Sequence, residues 1–321
     1  MTAESERSAV TLGRTLRVVR VVLLASAVAV IGALLITNWS TVWPYLRAIP
    51  PGVLVLAFIG ALGSPILGVL GWRAILADLG SRLPLAPACG VFFIGQLGKY
   101  LPGSVWTVVM QTELASRVGV PRKRTGVAGL LAMVLALITG VVVGLPAAPL
   151  IVGSHERVLL FSGLAVVAMA IVVSPPVLNP LVAWGMRRLG REPLEHPLSL
   201  RAVGTMCGWF VLSWASAGFL CWVLARQLAN PGVSQGSLAV AAFMGFALAS
   251  SLGMLSVILP AGVGVREAVL LVLLTPFMPL AAASAVVILA RFLSIVADLV
   301  WAGVGWLWAR NHHLWPGQDE R

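Results

Sequence analysis

Gly98-Lys99-Tyr100-Leu101-Pro102-Gly103 and Leu259-Pro260-Ala261-Gly262-Val263-Gly264-Val265-Arg266-Glu267 are two short, charged Gly/Pro breaks, each inside an otherwise apolar stretch and one in each half of the chain. A helix does not run cleanly through either, because proline lacks the N–H and glycine is entropically costly in a helix. In lipid a broken helix leaves backbone polar groups unpaired. That is tolerated only where the break is buried in protein or faces a water-filled cavity. Paired breaks at corresponding positions of two halves point to the binding site of a transporter.

The surroundings supply the lipid context. Of 321 residues, 59% are hydrophobic and 10% are charged, with a mean hydropathy of +0.98. Apolar runs close to the ~20 residues needed to cross the hydrocarbon core recur throughout. The class is an all-α polytopic membrane protein, and the polar stretches are too short to bury a soluble core. Six full spans are expected at Val18–Ile36, Val53–Trp72, Gly126–Leu145, Val158–Leu178, Val203–Ala225 and Ala281–Trp308. The count rises to eight if the second hairpin spans, since Leu238–Val257 is itself long enough to cross. The expected division is a tail over 1–17, one transmembrane domain over 18–308 with halves of about 18–156 and 157–308, and a tail over 309–321.

The net charge of +11 is placed as a membrane flank rather than as a nucleic-acid footprint. Arg7, Arg14, Arg17 and Arg20 precede the first span, whose apolar run is too long for a signal h-region. Arg117, Arg122, Lys123 and Arg124 follow the first break. They fall on the cytoplasmic side only if Ala88–Met110 enters and returns on one side, as a re-entrant hairpin. Arg187, Arg188, Arg191, Arg201 and Arg310 then also lie inside, and both termini are cytoplasmic. Each half runs span, span, hairpin, span with opposite orientation, which is an inverted-topology repeat.

Charges at membrane depth are costly and mark a function or an internal pair. Lys99 lies beside Tyr100 in the first break, Arg266 and Glu267 follow the second, and Arg291 and Asp298 lie seven positions apart on the last span. Arg291 and Asp298 either pair with each other or with Glu267 to hold the bundle, or meet substrate. Lys99 either snorkels to the interface or binds an anion. Half-helix N-termini near Ser104 and near Glu267 are expected to aim backbone N–H groups into the cavity and favour an anion. Gln96, Gln111 and Glu113 add polarity to the first hairpin, Glu113 at the interface.

Gly140-x-x-x-Gly144 and Gly204-x-x-x-Gly208 are expected to be close helix contacts within the monomer. Trp39, Trp43, Trp301, Trp306 and Trp308 fit interfacial belts. Cys89, Cys207 and Cys221 suit structural thiols, and the four histidines have no metal-ligand spacing, so neither a metal nor a cofactor is expected. The sequence has no Walker A pattern and no Ser-His-Asp arrangement, which argues against an ATP-driven pump acting alone.

At the two breaks, Gly95-Gln96-Leu97-Gly98-Lys99-Tyr100-Leu101-Pro102-Gly103-Ser104-Val105-Trp106 and Leu259 to Ala268, the chain resembles the lysylphosphatidylglycerol synthetase transmembrane-region family. This is the flippase-like domain of the multiple peptide resistance factor, and is also similar to archaeal dolichol-linked glycosylation proteins. The resemblance implies a bacterial inner-membrane protein acting on lipids, with Lys99, Pro102, Gly103, Gly262, Gly264, Arg266 and Glu267 as motif positions. The resistance factors continue into a cytoplasmic aminoacyl-transferase domain. This sequence ends at Arg321, so lysyl-phosphatidylglycerol synthesis is not expected of it.

The leading expectation is a flippase or transporter for an anionic phospholipid or a polyprenyl-phosphate-linked lipid. Its candidate substrate-binding residues are Lys99, Tyr100, Pro102, Gly103, Ser104, Gly262, Gly264, Arg266, Glu267, Arg291 and Asp298. Glu267 and Asp298 are expected to carry a coupling proton or to lock the cations. The alternatives are a membrane-embedded transferase with a polyprenyl-phosphate donor and Glu267 or Asp298 as base, or a non-catalytic partner of a separate glycosyltransferase or aminoacyl-transferase.

Overall fold

The structure, a computed structural model, describes residues 39–101, 105–152, 155–188, 190, 192, 195–255 and 262–311. The expected first span, both tails, Pro102, Gly103, Ser104 and Leu259–Ala261 lie outside the described residues.

Among the described residues the chain forms helices and no strand. In order they are α1 (Trp39–Arg47), α2 (Pro51–Asp78), α3 (Leu85–Gln96), α4 (Trp106–Arg117), α5 (Arg122–Gly144), α6 (Pro149–Val152), α7 (His155–Val172), α8 (Pro175–Arg188), α9 (Leu200–Leu228), α10 (Gln235–Leu255), α11 (Val265–Leu274) and α12 (Leu280–Asn311). Leu97–Tyr100 adds a 3-10 turn after α3, and Val240–Met244 is a π-helical stretch within α10. Proline sets several starts. Pro51 sits in the first turn of α2, while Pro84 and Pro121 immediately precede α3 and α5. Ser199 caps α9 by accepting from the Ala202 amide at 3.2 Å.

Among the described residues five helices are long and apolar enough to cross a membrane: α2, α5 with its extension to Ala147, α9, α10 and α12. The expected span Val158–Leu178 is not one continuous helix: the first helix stops at Val172, and the pair α7–α8 is bent by 59° at the break before Pro175, as a broken span or a re-entrant loop is. Proline removes a ladder hydrogen bond and clashes with the preceding turn, so the chain restarts as α8 and carries the helix to Arg188.

The organising pair is α2 and α9, of 28 and 29 residues, packed along their length. Small residues allow the approach: a Cβ at Gly60 would lie 3.0 Å from the Leu220 amide nitrogen, and Ser216 Oγ donates to the Gly60 carbonyl at 2.8 Å. Each break folds back as a hairpin beside this pair. In the first, α3 and α4 have 12 residues each, about 18 Å of helix, too short for either to cross. They pack on each other where Gly95 meets Gln111 and Gly98 meets Thr107. Arg124 Nη1 then donates to the Gly80 carbonyl at 2.9 Å, so the chain leaves the hairpin where it entered.

The second hairpin is asymmetric. Its first leg, α10, has 21 residues, and its second, α11, has 10 and is too short to cross alone. The Asn230 amide donates to the Phe277 carbonyl at 2.9 Å, so this hairpin also returns to its entry point. The first base lies at the Ser199 end of α9, where Asp78 accepts from the Ser199 amide and hydroxyl and Arg124 pairs with Glu195. The second lies at the Leu228 end. The two hairpins therefore open toward opposite ends of the bundle, with their breaks between.

Each hairpin also leans on the last helix of the other half: α3 on α12, and α10 on α5. Gly90 accommodates Trp308 at the first contact, and Gly140 and Gly144 admit Ser251, Trp214 and Leu248 at the second. The Gly140/Gly144 motif is thus a close contact within the monomer. Gly204 and Gly208 are not: a Cβ at either would meet nothing within 4 Å among the described residues. Trp301 is not a belt residue. Its Nε1 donates to the Leu62 carbonyl at 3.0 Å and its ring stacks on Phe93 at 4.9 Å.

Candidate functional site

The buried core divides into two clusters. One gathers around Ala217–Ala225 of α9, the other around Ala202–Phe210. Between them lies a cavity of about 340 Å³, within the ~300–1,000 Å³ range of small-molecule pockets. Its wall takes Ala61–Gly68 from α2 and Phe210–Leu220 from α9, the middle portion of each helix. The remainder comes from both hairpins and from α5 and α12.

The charged residues of both breaks and of α12 converge here. Lys99, Arg266, Arg291 and Asp298 line the cavity together with Tyr100 and Gly262. Lys99 does not snorkel away. Its Nζ lies 2.8 Å from Asp298 Oδ2, which also accepts from the Tyr100 hydroxyl at 2.5 Å. Lys99 Nζ stands 5.5 Å from the Tyr100 ring centroid, so the two donors are held as a unit.

The second break has a different logic. Gly262 and Gly264 have φ of +66° and +91°, which an L side chain rarely adopts. Gly262 is also crowded: a Cβ there would lie 2.7 Å from the Gly253 Cα. These two glycines turn the chain from α10 into α11 at close quarters. At the N-terminus of α11, which was expected to offer its amides to an anion, one amide is already taken by a carboxylate of the chain itself. Glu267, three residues into the helix, bends back and accepts from the Gly264 amide at 2.7 Å. That is the glutamate half of a capping box: Gly264 has no side chain to return the bond, and the protein's own carboxylate takes the N-cap amide. The other oxygen, Oε1, lies 3.4 Å from Arg291 Nη1.

Arg291 and Asp298 therefore take separate partners. Arg291 binds the second hairpin through Glu267, and Asp298 binds the first through Lys99 and Tyr100. Seven residues apart, they lie two turns apart on one face, on the order of 10 Å along α12. Arg266 makes no ion pair among the described residues, and its guanidinium lies over the Phe246 ring at 4.3 Å. The wall thus presents three cations and one carboxylate, with Glu267 pairing Arg291 behind it.

Sequence reasoning missed several members of the wall. Phe246 supports Arg266, and Ser64 and Ser213 are hydrogen-bonded to each other at 2.9 Å. Trp214 donates through Nε1 to the Ala136 carbonyl at 3.2 Å. Ser250, 7% exposed, has a buried hydroxyl without a hydrogen-bond partner among the described residues. The available signal was the polar residue in an apolar run: Ser64-Pro65 in α2 and Ser250-Ser251 in α10. Gln111 is 2% exposed and lines the cavity, whereas Glu113 faces outward and pairs with Arg117 and Arg122. The three cysteines are free thiols, and no cluster of metal-ligating side chains occurs among the described residues.

Two broken hairpins entering a helical bundle from opposite ends, with a cationic cavity at their meeting point, fit the class of multi-pass membrane proteins. Residues 18–302 match the family Lysylphosphatidylglycerol synthase TM region, and the chain belongs to it. It is thus a membrane domain of a family associated with lipid-related functions. A search of curated proteins finds no match to this chain.

Proposed function

We propose that the protein moves an anionic phospholipid or a polyprenyl-phosphate-linked lipid across the bacterial inner membrane, with the phosphate passing through the central cavity. The observation that carries this reading is the unbalanced charge of the cavity wall. Three cations and one carboxylate line the wall, and Arg266 makes no salt bridge among the described residues, its neighbouring acid Glu267 being paired with Arg291. A cation at membrane depth without a counter-ion is costly, and a phosphate at that position relieves the cost. The volume suits a head group and its phosphate. The apolar tails stay in the bilayer alongside.

In this reading the hairpins are the moving parts. Each is tied to α12 by one ion pair, Lys99–Asp298 for the first and Glu267–Arg291 for the second. Loosening one pair while the other holds would open the cavity toward one end at a time. The membrane orientation that goes with it is an inverted-topology repeat with both termini cytoplasmic, as the basic flanks require. A separate cytoplasmic glycosyltransferase or aminoacyl-transferase would supply or consume the lipid.

The test is a dithionite-quenching assay in proteoliposomes, with fluorescent phosphatidylglycerol compared with fluorescent phosphatidylcholine and with a labelled polyprenyl phosphate. The wild type should expose the inner-leaflet label of at least one anionic lipid faster than empty vesicles do. Arg266→Ala should abolish the gain, and Arg266→Lys should restore only part of it, since an ammonium does not reproduce the bidentate fork. No acceleration for any anionic lipid, or full activity of Arg266→Ala, would overturn the reading.

A further inference from the structure

Asp298 Oδ2 accepts from two donors of the first hairpin at once, the Lys99 ammonium at 2.8 Å and the Tyr100 hydroxyl at 2.5 Å. One carboxylate oxygen thus fills a place shaped for an anionic oxygen, and it lies in the wall of the cavity that Arg266 enters from the other hairpin. From this we infer that Asp298 is an internal stand-in for the substrate's phosphate, and that the site takes up a phosphodiester anion together with one proton. The inference rests on the anion-cavity reading above and names its coupling.

The exchange follows from charge and burial. A phosphate oxygen entering between Lys99 and Arg266 takes the two donors that Asp298 now holds. The displaced carboxylate, 7% exposed in the present arrangement, would then have lost both of its donors. A buried ionised carboxylate without partners is far more costly than its neutral form, so it binds a proton. The balance is simple: one anion and one proton enter, no covalent bond to the lipid changes, and the site's net charge is unaltered.

The other charged groups do not offer the same role. Around the cavity the titratable groups are Lys99 and Tyr100 on the first hairpin, Arg266 on α11 and Arg291 on α12, with Glu267 behind Arg291. The lining contributed by α2, α5, α9 and α10 contains no titratable side chain. Glu267 is committed to the Gly264 amide and to Arg291. Asp298 alone is held only by groups that the substrate itself would claim.

The experiment is calorimetric titration of the detergent-solubilised protein with dihexanoyl-phosphatidylglycerol, a monoanion across the pH range used. Titrations in buffers of different ionisation enthalpy count the protons taken up. At about pH 8 the wild type should take up about one proton per anion, and its affinity should fall about tenfold per pH unit. Asp298→Asn should bind the probe with no proton uptake and with an affinity independent of pH. Glu267→Gln should keep the wild-type proton count, and Lys99→Gln should weaken binding throughout. Zero proton uptake by the wild type, which requires no variant to fold, would overturn the proposal. So would an unchanged proton count in Asp298→Asn, or a loss of it in Glu267→Gln instead. Failure of the wild type to bind the probe, or binding indifferent to Arg266→Ala, would overturn the anion-cavity reading itself and this proposal with it.

Discussion

The Lys99–Asp298 pair is unequal in its exposure to water, and stability measurements should show that inequality. Asp298 is 7% exposed and Lys99 is 39% exposed, with 2.8 Å between their charged atoms. Removing one partner of a well-buried pair costs about 3–5 kcal/mol, because the other charge is left uncompensated. The full penalty falls only on the partner that cannot reach water. Lys99→Met leaves Asp298 in the cavity wall with Tyr100 alone, and should cost about 3 kcal/mol, the lower end of that range. Asp298→Asn keeps an oxygen for Tyr100 and leaves a Lys99 that can turn toward water, and should cost about 1 kcal/mol, as exposed pairs do. The double variant leaves no orphaned charge. It should also cost about 1 kcal/mol, short of the sum of the singles by about 3 kcal/mol. The assay is equilibrium unfolding in mixed micelles with increasing SDS, followed by the fluorescence of the chain's 12 tryptophans. Asp298→Asn destabilising more than Lys99→Met, or an additive double variant, would refute the assignment of Asp298 as the buried partner.

Three further outcomes follow. Gly144→Ala should destabilise the protein by about 1–2 kcal/mol, because the new methyl would sit 2.6 Å from the Leu248 amide nitrogen and force α5 from α10; Gly208→Ala, which meets nothing within 4 Å among the described residues, should leave unfolding unchanged or raise its midpoint. A cysteine placed at Arg122 should react with an impermeant maleimide only from the cytoplasmic side, and one at Ser234 only from outside, since the two hairpin bases lie at opposite ends of α9; labelling of both from one side would contradict the inverted arrangement. Glu267→Gln should weaken both the cap of α11 and its tie to Arg291, lowering the free energy of unfolding by about 1–2 kcal/mol with Lys99, Arg266 and Arg291 intact; an unchanged free energy of unfolding would show that the Glu267 cap contributes nothing.

The architecture was legible where one residue type settles a local question. Proline and glycine at 98–103 and 259–264 mark where helices stop, and the basic cluster Arg117–Arg124 marks where the first hairpin returns. Hydropathy was silent on direction within an apolar run, so the break before Pro175 fell unmarked inside the expected span Val158–Leu178. The charged residues of the site were found because charge in an apolar run is conspicuous. Their partners were not, because pairing across hairpins depends on how two distant segments rotate. The seven-residue spacing of Arg291 and Asp298 placed both on one face of α12 but left their partners open. Gly140/Gly144 and Gly204/Gly208 show the same limit, one motif being a tight contact and the other an open face among the described residues.

The pairing of charges across the repeat links the fold to its proposed work. The two hairpins enter from opposite ends, and each contains a leg too short to cross alone, α3 and α4 in the first and α11 in the second. Each engages a charge on α12, which spans the bundle and carries an acid for the first hairpin and a base for the second. The two engagements differ in kind. Glu267 is fixed in place by its own helix end, so the Arg291 tie is held by local structure. Asp298 has no such local hold, and its tie to Lys99 and Tyr100 lasts only while no better anion is present. In the proposed reading an arriving phosphate would release the first hairpin while the second still holds, which is one half of the alternation. That is the asymmetry an alternating-access device needs, because a ligand moves an equilibrium only through its different affinity for the two states.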